Sequence, residues 1–322
     1  MKPKISVNIG KLKLKNPVMV ASGTFGYGEE FKYFIDLKKL GAMVSKTITL
    51  KPRIGNPMPR TCETPQGMLN SIGLENPGIN KFIKEKLPSL TKIGVPVIVS
   101  ISAVDDPEEF IILAKQLDKI REVAAIELNI SCPNIRPLST VSIRPQKSRR
   151  PWTVDRGLIA QDPKATYNLV KAVRKATKKT LITKLSPNVT DIAEIALAAE
   201  KAGSDAVSLI NTLTGMSIDT ETKRPKIATV TGGLSGPAIR PLGVRMVWEV
   251  YQKVKIPIIG MGGIIDTSSA LEFFIAGATA ISVGTANFIN PKVSMEIIEG
   301  LKKYLRGHKI SSISKLIGSV RC

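Results

Sequence analysis

The feature that most constrains the fold of this chain is an alternation of short apolar segments with segments of helical period, repeated eight times. The apolar segments are rich in β-branched residues, which is typical of buried strands. The predicted strands are residues 16–20, 42–45, 95–101, 123–128, 181–185, 205–210, 256–260 and 279–283. The predicted helices lie near residues 29–39, 79–92, 106–119, 163–178, 190–202, 236–254, 266–277 and 291–305.

Eight successive strand–helix units predict an α/β fold, a (β/α)8 TIM barrel, more economically than a doubly wound sheet. Three strand-to-helix connections are long, at residues 47–78, 133–162 and 211–235. In a barrel these long loops gather at the carboxyl-terminal face, where active sites are built. Because no linker or low-complexity stretch divides the chain, we expect a single domain over residues 1–322, with amino-terminal strands in 4–15, the barrel at 16–306 and a tail at 307–322.

Composition narrows the class of protein. The three cysteines, Cys62, Cys132 and Cys322, lack metal-ligand spacing, so we expect no metal site and a reducing, cytoplasmic location. The one histidine, His308, lies in a polar stretch, which argues against histidine-based catalysis. Neither a signal peptide nor an apolar run of about 18 residues occurs, and we expect no membrane association.

The net charge of +21 at pH 7 raises nucleic acid as a partner. The basic residues are nevertheless spread over polar positions of predicted helices, as at Lys171, Lys175 and Lys178, where a solvated helix face is the favoured interpretation. Aromatic residues make up only 5% of the chain, which weakens a base-stacking mode of binding. We therefore expect no nucleic-acid partner.

The hexapeptide at residues 129–134, NISCPN, follows the fourth predicted strand. Its thiol, Cys132, stands between the carboxamides of Asn129 and Asn134, beside the hydroxyl of Ser131, and Pro133 prevents further strand pairing. This combination indicates a catalytic loop with one proton-transfer group. Taken by itself, the hexapeptide also fits a buried structural cysteine.

Glycines follow the last two predicted strands, at Gly262 and Gly263 and at Gly284, which precedes Thr285. A third glycine-rich segment, residues 231–236, is predicted to form a turn before the sixth helix and ends at Gly236. In barrels of this kind the loops after strands seven and eight commonly form a phosphate site. Each glycine pair alone also fits an ordinary tight turn.

Two lysines, Lys46 and Lys184, fall at the ends of predicted strands rather than on helix surfaces. A buried ammonium needs a partner, such as a bound anion or an electron-rich ring, although a lysine can also extend from the barrel end to water. Carboxamides and hydroxyls surround the same mouth: Asn70, Asn129, Asn134, Asn211, Ser22, Thr47, Ser131 and Thr212. This set suits a planar, amide-rich substrate with a carboxylate, together with a phosphorylated cofactor. A redox reaction would require that cofactor as the acceptor, because side chains do not carry out hydride chemistry unaided.

Three motifs, at residues 70–78, 129–134 and 231–239, resemble those of dihydroorotate dehydrogenase, and the resemblance extends over nearly the whole barrel. The third motif and Cys132 resemble the soluble class 1 enzymes, especially the catalytic subunit of the B type. Class 2 enzymes usually carry serine at the position of Cys132 and an amino-terminal membrane-associating extension, which this sequence lacks.

The resemblance implies bound FMN and oxidation of dihydroorotate to orotate in pyrimidine biosynthesis. Cys132 would accept the C5 proton while hydride passes from C6 to flavin N5, and Lys184 would stabilise charge at the flavin N1/O2 edge. The implied substrate-binding residues are Lys46, Asn70, Ser71, Ile72, Gly73, Leu74, Asn129, Asn134, Asn211 and Thr212. The implied cofactor-binding residues are Ser22, Lys46, Thr47, Ser100, Asn129, Lys184, Ile210, Gly236, Gly262, Gly263, Gly284 and Thr285.

The sequence departs from the family pattern in two places. Ser100 stands where the family usually has an asparagine that contacts FMN, and residues 135–157 are longer and richer in arginine than the usual catalytic-loop region. The resemblance also implies a homodimer and an iron–sulfur flavoprotein subunit that passes electrons to NAD. The alternatives are an FMN-dependent tRNA dihydrouridine synthase and a nonenzymatic, basic, nucleic-acid-binding barrel.

Overall fold

The structure is a computed structural model that describes residues 3–131 and 159–321. The strands that precede residue 132 are β1 (Val7–Ile9), β2 (Leu12–Leu14), β3 (Val18–Val20), β4 (Ala42–Val44), β5 (Thr61–Thr64), β6 (Gly67–Asn70), β7 (Val97–Ile101) and β8 (Val123–Asn129). Those that follow it are β9 (Thr180–Lys184), β10 (Ala206–Leu209), β11 (Leu213–Met216), β12 (Ile218–Asp219), β13 (Arg224–Pro225), β14 (Thr231–Ser235), β15 (Ile258–Gly260) and β16 (Ala280–Val283).

The α-helices connect the strands along the outside of the structure. Their bounds are α1 (Gly78–Lys81), α2 (Leu87–Lys92), α3 (Glu108–Asp118), α4 (Pro163–Ala176), α5 (Ile192–Lys201), α6 (Arg240–Tyr251), α7 (Thr267–Ala276), α8 (Ala286–Ile289) and α9 (Val293–Gly307). None of the helices in the described ranges has the length and apolar character that a bilayer crossing requires.

Eight parallel strands close into a barrel in the order β3-β4-β7-β8-β9-β10-β15-β16, and β16 pairs with β3. Each strand overlaps one of the eight predicted segments, and the (β/α)8 fold class is therefore confirmed. The β1–β2 hairpin packs at the opposite, amino-terminal end of the barrel, because Gly10 in its turn lies against Thr180 and Asp205, which precede or begin two barrel strands.

The strand register decides which side chains enter the barrel. Asn129 pairs with Lys184, and Lys184 pairs in turn with Ser208. Partners in a parallel ladder point to the same face of the sheet, so these three side chains share the inner face. All three residues are buried, and they place polar groups at the carboxyl-terminal end of the barrel interior.

The predicted helix at 29–39 was wrong. Two short 3₁₀ helices, Phe31–Tyr33 and Leu37–Lys39, occupy this region. They are separated by Asp36, whose backbone is extended and whose carboxylate accepts a hydrogen bond of 3.1 Å from the Lys38 N–H. An aspartate that caps its own following turn competes with a continuous helix.

Two of the long connections meet at the carboxyl-terminal face. The connection at 47–78 contributes β5 and β6, and the one at 211–235 contributes β11 and β14, which pair as an antiparallel sheet in the order β11-β14-β6-β5. The glycine-rich turn predicted at 231–236 is therefore mostly strand, which corrects that prediction. Its glycines allow close packing, since a Cβ at Gly233 would lie 2.0 Å from the Thr212 Oγ1 atom.

Candidate active site

A cavity of about 230 Å³ opens at the carboxyl ends of the barrel strands, under the β5–β6 and β11–β14 pairs. Most of the site residues predicted from the sequence line it: Ser22, Lys46, Thr47, Asn70, Ile72, Gly73, Leu74, Asn129, Lys184, Ile210, Asn211, Thr212, Gly236, Gly262, Gly263, Gly284 and Thr285. Ser71 and Ser100 do not line the cavity. Cys132 and Asn134 lie outside the described residues.

A hydroxyl group at Thr47 organises one wall of the cavity. The Thr47 Oγ1 atom accepts a hydrogen bond from the Asn129 carboxamide at 3.0 Å and lies 2.9 Å from the Ser22 hydroxyl and 3.0 Å from the Ser100 hydroxyl. A hydroxyl donates one hydrogen bond and accepts two, so these partners use the full capacity of Thr47. Ser100 is fully buried, and its hydroxyl contacts the cavity wall through Thr47.

The Asn129 carboxamide is held from both ends. Its oxygen accepts hydrogen bonds from the Ser131 hydroxyl at 3.3 Å and from the Asn211 carboxamide at 3.4 Å, while its nitrogen donates to Thr47. Asn211 also donates to the Ser131 hydroxyl at 2.9 Å, which joins the ends of β8 and β10. These hydrogen bonds fix which end of each carboxamide, Asn129 and Asn211, donates and which accepts.

Two lysines bring positive charge to the cavity. Lys184 is only 5% exposed, and its ammonium has no hydrogen-bond or ion-pair partner among residues 3–131 and 159–321. Burial lowers the pKa of the Lys46 ammonium below its usual 10.5, and the carboxylate of Glu75, which is itself paired with Arg60, opposes this shift. An unpaired, buried ammonium is costly, and a bound anion or an electron-rich ring would offset that cost.

The loops after β15 and β16 present unpaired backbone donors. In the part of the chain that the structure describes, the N–H groups of Gly262, Gly263, Gly284 and Thr285 have no hydrogen-bond acceptor. The space beside Gly284 is open, since a Cβ there would come no closer than 3.8 Å to Ala21. Converging, unpaired N–H groups form a site that suits phosphate oxygens.

The sequence did not single out several residues of the cavity wall. Met68 and Thr61 reach the cavity from the β5–β6 hairpin, and Ser235 reaches it from β14, where its hydroxyl accepts a hydrogen bond of 2.8 Å from the hydroxyl of Thr285. Their place depends on pairing between segments far apart in the chain. The remaining unpredicted residues are Ala21, Gly23, Thr24, Ile239, Met261, Ile264, Ile265, Ala286 and Phe288. The available signal for them was their position in segments that follow the ends of strands.

The fold and the cavity define a (β/α)8 barrel with a candidate active site at its carboxyl-terminal face. The sequence profile of the dihydroorotate dehydrogenase family matches residues 4–305. This chain belongs to the dihydroorotate dehydrogenase family, and the resemblance seen in its three motifs is confirmed.

Three similar proteins share one name, dihydroorotate dehydrogenase B (NAD(+)), catalytic subunit. The protein of Trichlorobacter lovleyi is 54% identical over 320 residues, which is 99% of each chain. The protein of Pelobacter propionicus is 50% identical over 322 residues and 100% of both chains. The protein of Geotalea uraniireducens is 51% identical over 319 residues and 99% of both.

Proposed function

We propose that this chain is the catalytic subunit of a B-type dihydroorotate dehydrogenase, which oxidises dihydroorotate to orotate with FMN in pyrimidine biosynthesis. The observation that carries the proposal is one cavity that combines three features: backbone donors without an acceptor in residues 3–131 and 159–321, a buried Lys184, and a fixed pair of carboxamides, Asn129 and Asn211. The names of the similar proteins support the same substrate and reaction.

The described residues fit FMN. The N–H groups of Gly262, Gly263, Gly284 and Thr285 would hold its phosphate, and the open space at Gly284 leaves room for it. Lys184 would stand beside the isoalloxazine ring, where its ammonium stabilises negative charge. When bound, FMN supplies the hydride acceptor that protein side chains lack.

The remaining polar groups would bind dihydroorotate. Asn129 and Asn211 have fixed donor and acceptor directions, which suits the ring amides of the substrate. Lys46 would pair with the substrate carboxylate. The pocket would be completed by Asn70, Thr212 and the Ile72–Leu74 wall. Ser71 and Ser100 do not line the cavity, so their predicted contributions would be made through neighbouring residues.

We assign the proton transfer to Cys132, which follows directly after Ser131 in the chain. The Cys132 thiolate would accept the proton from C5 of dihydroorotate as the hydride leaves C6. Asn211 donates to both the hydroxyl and the carbonyl of Ser131, so the residue before the base is anchored to the substrate-binding carboxamides. Asn129 and Ser131, which precede the base in the chain, are thereby both bonded to Asn211.

The partners form part of the proposal. The similar proteins are named as catalytic subunits with NAD(+), which supports a second, iron–sulfur flavoprotein subunit that passes electrons to NAD. We propose that the catalytic chain forms a homodimer and acts in the cytoplasm. Cys62 is a free, half-buried thiol in the structure, which suits a reducing compartment.

The proposed function is tested by steady-state turnover of the FMN-loaded protein with a soluble electron acceptor. Dihydroorotate should be consumed and an equal amount of orotate should form, identified by chromatography. The same preparation is tested with tRNA and a reductant for dihydrouridine formation. Orotate without dihydrouridine supports the proposal, whereas dihydrouridine without orotate would reassign the barrel to a tRNA dihydrouridine synthase.

A further inference from the structure

The segment Asn70 to Leu74 forms the cavity wall to which we have assigned substrate binding, and it is held from behind by a residue that does not line the cavity. We propose that Asn56 is a positioning residue that keeps this wall in the conformation that binds substrate. The inference rests on the proposed function, because it concerns the affinity of the same pocket for dihydroorotate and orotate.

Asn56 contacts three consecutive residues of the wall. Its backbone N–H donates to the Ile72 carbonyl at 3.0 Å, and its Nδ2 atom donates to the Ser71 carbonyl at 2.9 Å. A Cβ on Gly73 would lie 2.5 Å from the Asn56 Cγ atom and 2.6 Å from its Oδ1 atom. The Asn56 side chain therefore fills the space that only a glycine at position 73 leaves open.

The wall has a backbone conformation that needs outside support. Gly73 has a φ of +76° and Leu74 a φ of +57°, two successive residues in the left-handed region. That region is unfavourable for leucine, and such conformations persist only where surrounding contacts determine them. The Arg53 Nε atom donates to the Gly73 carbonyl at 3.2 Å, and Asn76 donates to the Leu74 carbonyl at 2.7 Å, so both residues are also tied to their neighbours.

The Asn56 contacts support the substrate side of the cavity and not the phosphate side. Ile72, Gly73 and Leu74 line the cavity, whereas Asn56 stands behind them. The proposed phosphate donors at Gly262 and Gly284 follow the carboxyl-terminal ends of two other elements, β15 and β16. Loss of the Asn56 contacts should therefore weaken binding of the substrate while the FMN site stays intact.

The test compares the FMN-loaded wild-type protein with Asn56→Ala and Asn56→Asp. Aspartate keeps the shape of asparagine but cannot donate to the Ser71 carbonyl. The matched control is Asn80→Ala, because Asn80 is exposed on α1 and has no side-chain hydrogen bond within the described chain. Orotate affinity is measured by calorimetry, FMN content by absorbance, and kcat and KM with dihydroorotate.

Both Asn56 variants should retain FMN and raise the orotate Kd and the dihydroorotate KM by about tenfold, the effect of losing roughly one hydrogen bond. The fall in kcat should be smaller than the rise in KM, and Asn80→Ala should match the wild type. Unchanged orotate affinity in both variants would overturn the inference. Loss of FMN or of folding in both would also overturn it, since the role of Asn56 would then be general support.

The wild-type protein distinguishes failure of the proposed function from failure of the positioning role of Asn56. If the wild-type protein neither binds orotate nor oxidises dihydroorotate, the proposed function fails. If the wild type does both and the Asn56 variants equal it, only the positioning role of Asn56 fails.

Discussion

The hydroxyl of Thr47 accepts a hydrogen bond of 3.0 Å from the carboxamide of Asn129, and this bond joins the end of β8 to the residues that follow β4. The same oxygen is shared with the hydroxyls of Ser22 and Ser100. The nitrogen end of a carboxamide assigned to both substrate and cofactor is thus held by one threonine. Residues from three other barrel strands or their extensions converge on that atom.

Replacement of Thr47 by valine should disturb this whole group. Thr47→Val keeps the side-chain shape but leaves the Asn129 carboxamide N–H and the hydroxyls of Ser22 and Ser100 short of a partner, at a cost of about 1–3 kcal/mol in the free energy of unfolding. FMN content should fall as well. Chemical denaturation and flavin absorbance measure both effects, and Thr220→Val, at an exposed position, serves as control. Equal stability and FMN content in the two variants would contradict the role of Thr47.

The glycine cradle can be tested without disturbing the fold. Gly284→Ala adds a methyl group to open space, where the nearest atoms are 3.8 Å away on Ala21 and 3.9 Å away on Thr24. The apoprotein should therefore keep its thermal stability, while the methyl group should obstruct the phosphate and reduce FMN affinity by at least tenfold. The control is Gly307→Ala, whose methyl group would meet no atom within 4 Å and would lie at the end of α9. Normal FMN binding by Gly284→Ala would place the phosphate elsewhere.

The lowered pKa of Lys46 predicts how orotate binding depends on pH. Burial disfavours the ammonium in the folded protein, so the amine should lose its proton below the usual 10.5. Orotate affinity should fall as pH rises through this lowered pKa, because a neutral amine cannot pair with the carboxylate. Calorimetry across alkaline pH measures the dependence, and Lys46→Met should bind weakly at every pH without this transition. An identical alkaline fall in Lys46→Met would rule out Lys46 as its source.

The lowered pKa of Lys46 also determines how the free energy of unfolding changes with pH. Since the unfolded chain holds the Lys46 proton more tightly than the folded chain does, the free energy of unfolding contributed by this residue rises with pH between the lowered folded pKa and 10.5. Below the folded pKa the buried ammonium is destabilising throughout. Lys46→Met should therefore be more stable than the wild type at neutral pH, as measured by denaturation of both apoproteins. A less stable variant would contradict the sign.

A proton-accepting thiol predicts a different pH dependence. An ordinary thiol with a pKa near 8.5 is only about 3% thiolate at pH 7, so the rate of flavin reduction by dihydroorotate should increase with pH. Cys132→Ala should be slower, by roughly 10²–10⁴-fold for loss of a general base, and should lack this increase. Stopped-flow absorbance measures the rate. A rate and pH profile like those of the wild type would remove Cys132 from the mechanism.

The local pattern of the sequence was sufficient for the barrel and for much of its mouth. The eight strands were predictable because each is a short apolar run, and Lys46 and Lys184 were conspicuous as charges at the ends of such runs. Helix 29–39 could not be predicted correctly in the same way, because the helical spacing was present while the Asp36 carboxylate caps a separate turn.

The rest of the site depends on contacts between distant segments. Ser235 pairs with Met68 across a separation of 167 residues, and this pairing makes a strand of what the glycines suggested was a turn. Asn56 was not singled out either, since its role arises from bonds to the Ser71 and Ile72 carbonyls and no side-chain pattern records those. Backbone acceptors on a remote loop leave little trace in composition or periodicity.

The most direct test of the account is the absorbance spectrum of the FMN-loaded protein, recorded without oxygen before and after dihydroorotate is added. We expect the yellow absorbance of the oxidised flavin to be lost and one orotate to form for each flavin reduced. An unchanged spectrum of a fully loaded protein at saturating dihydroorotate would contradict the claim that this cavity oxidises dihydroorotate.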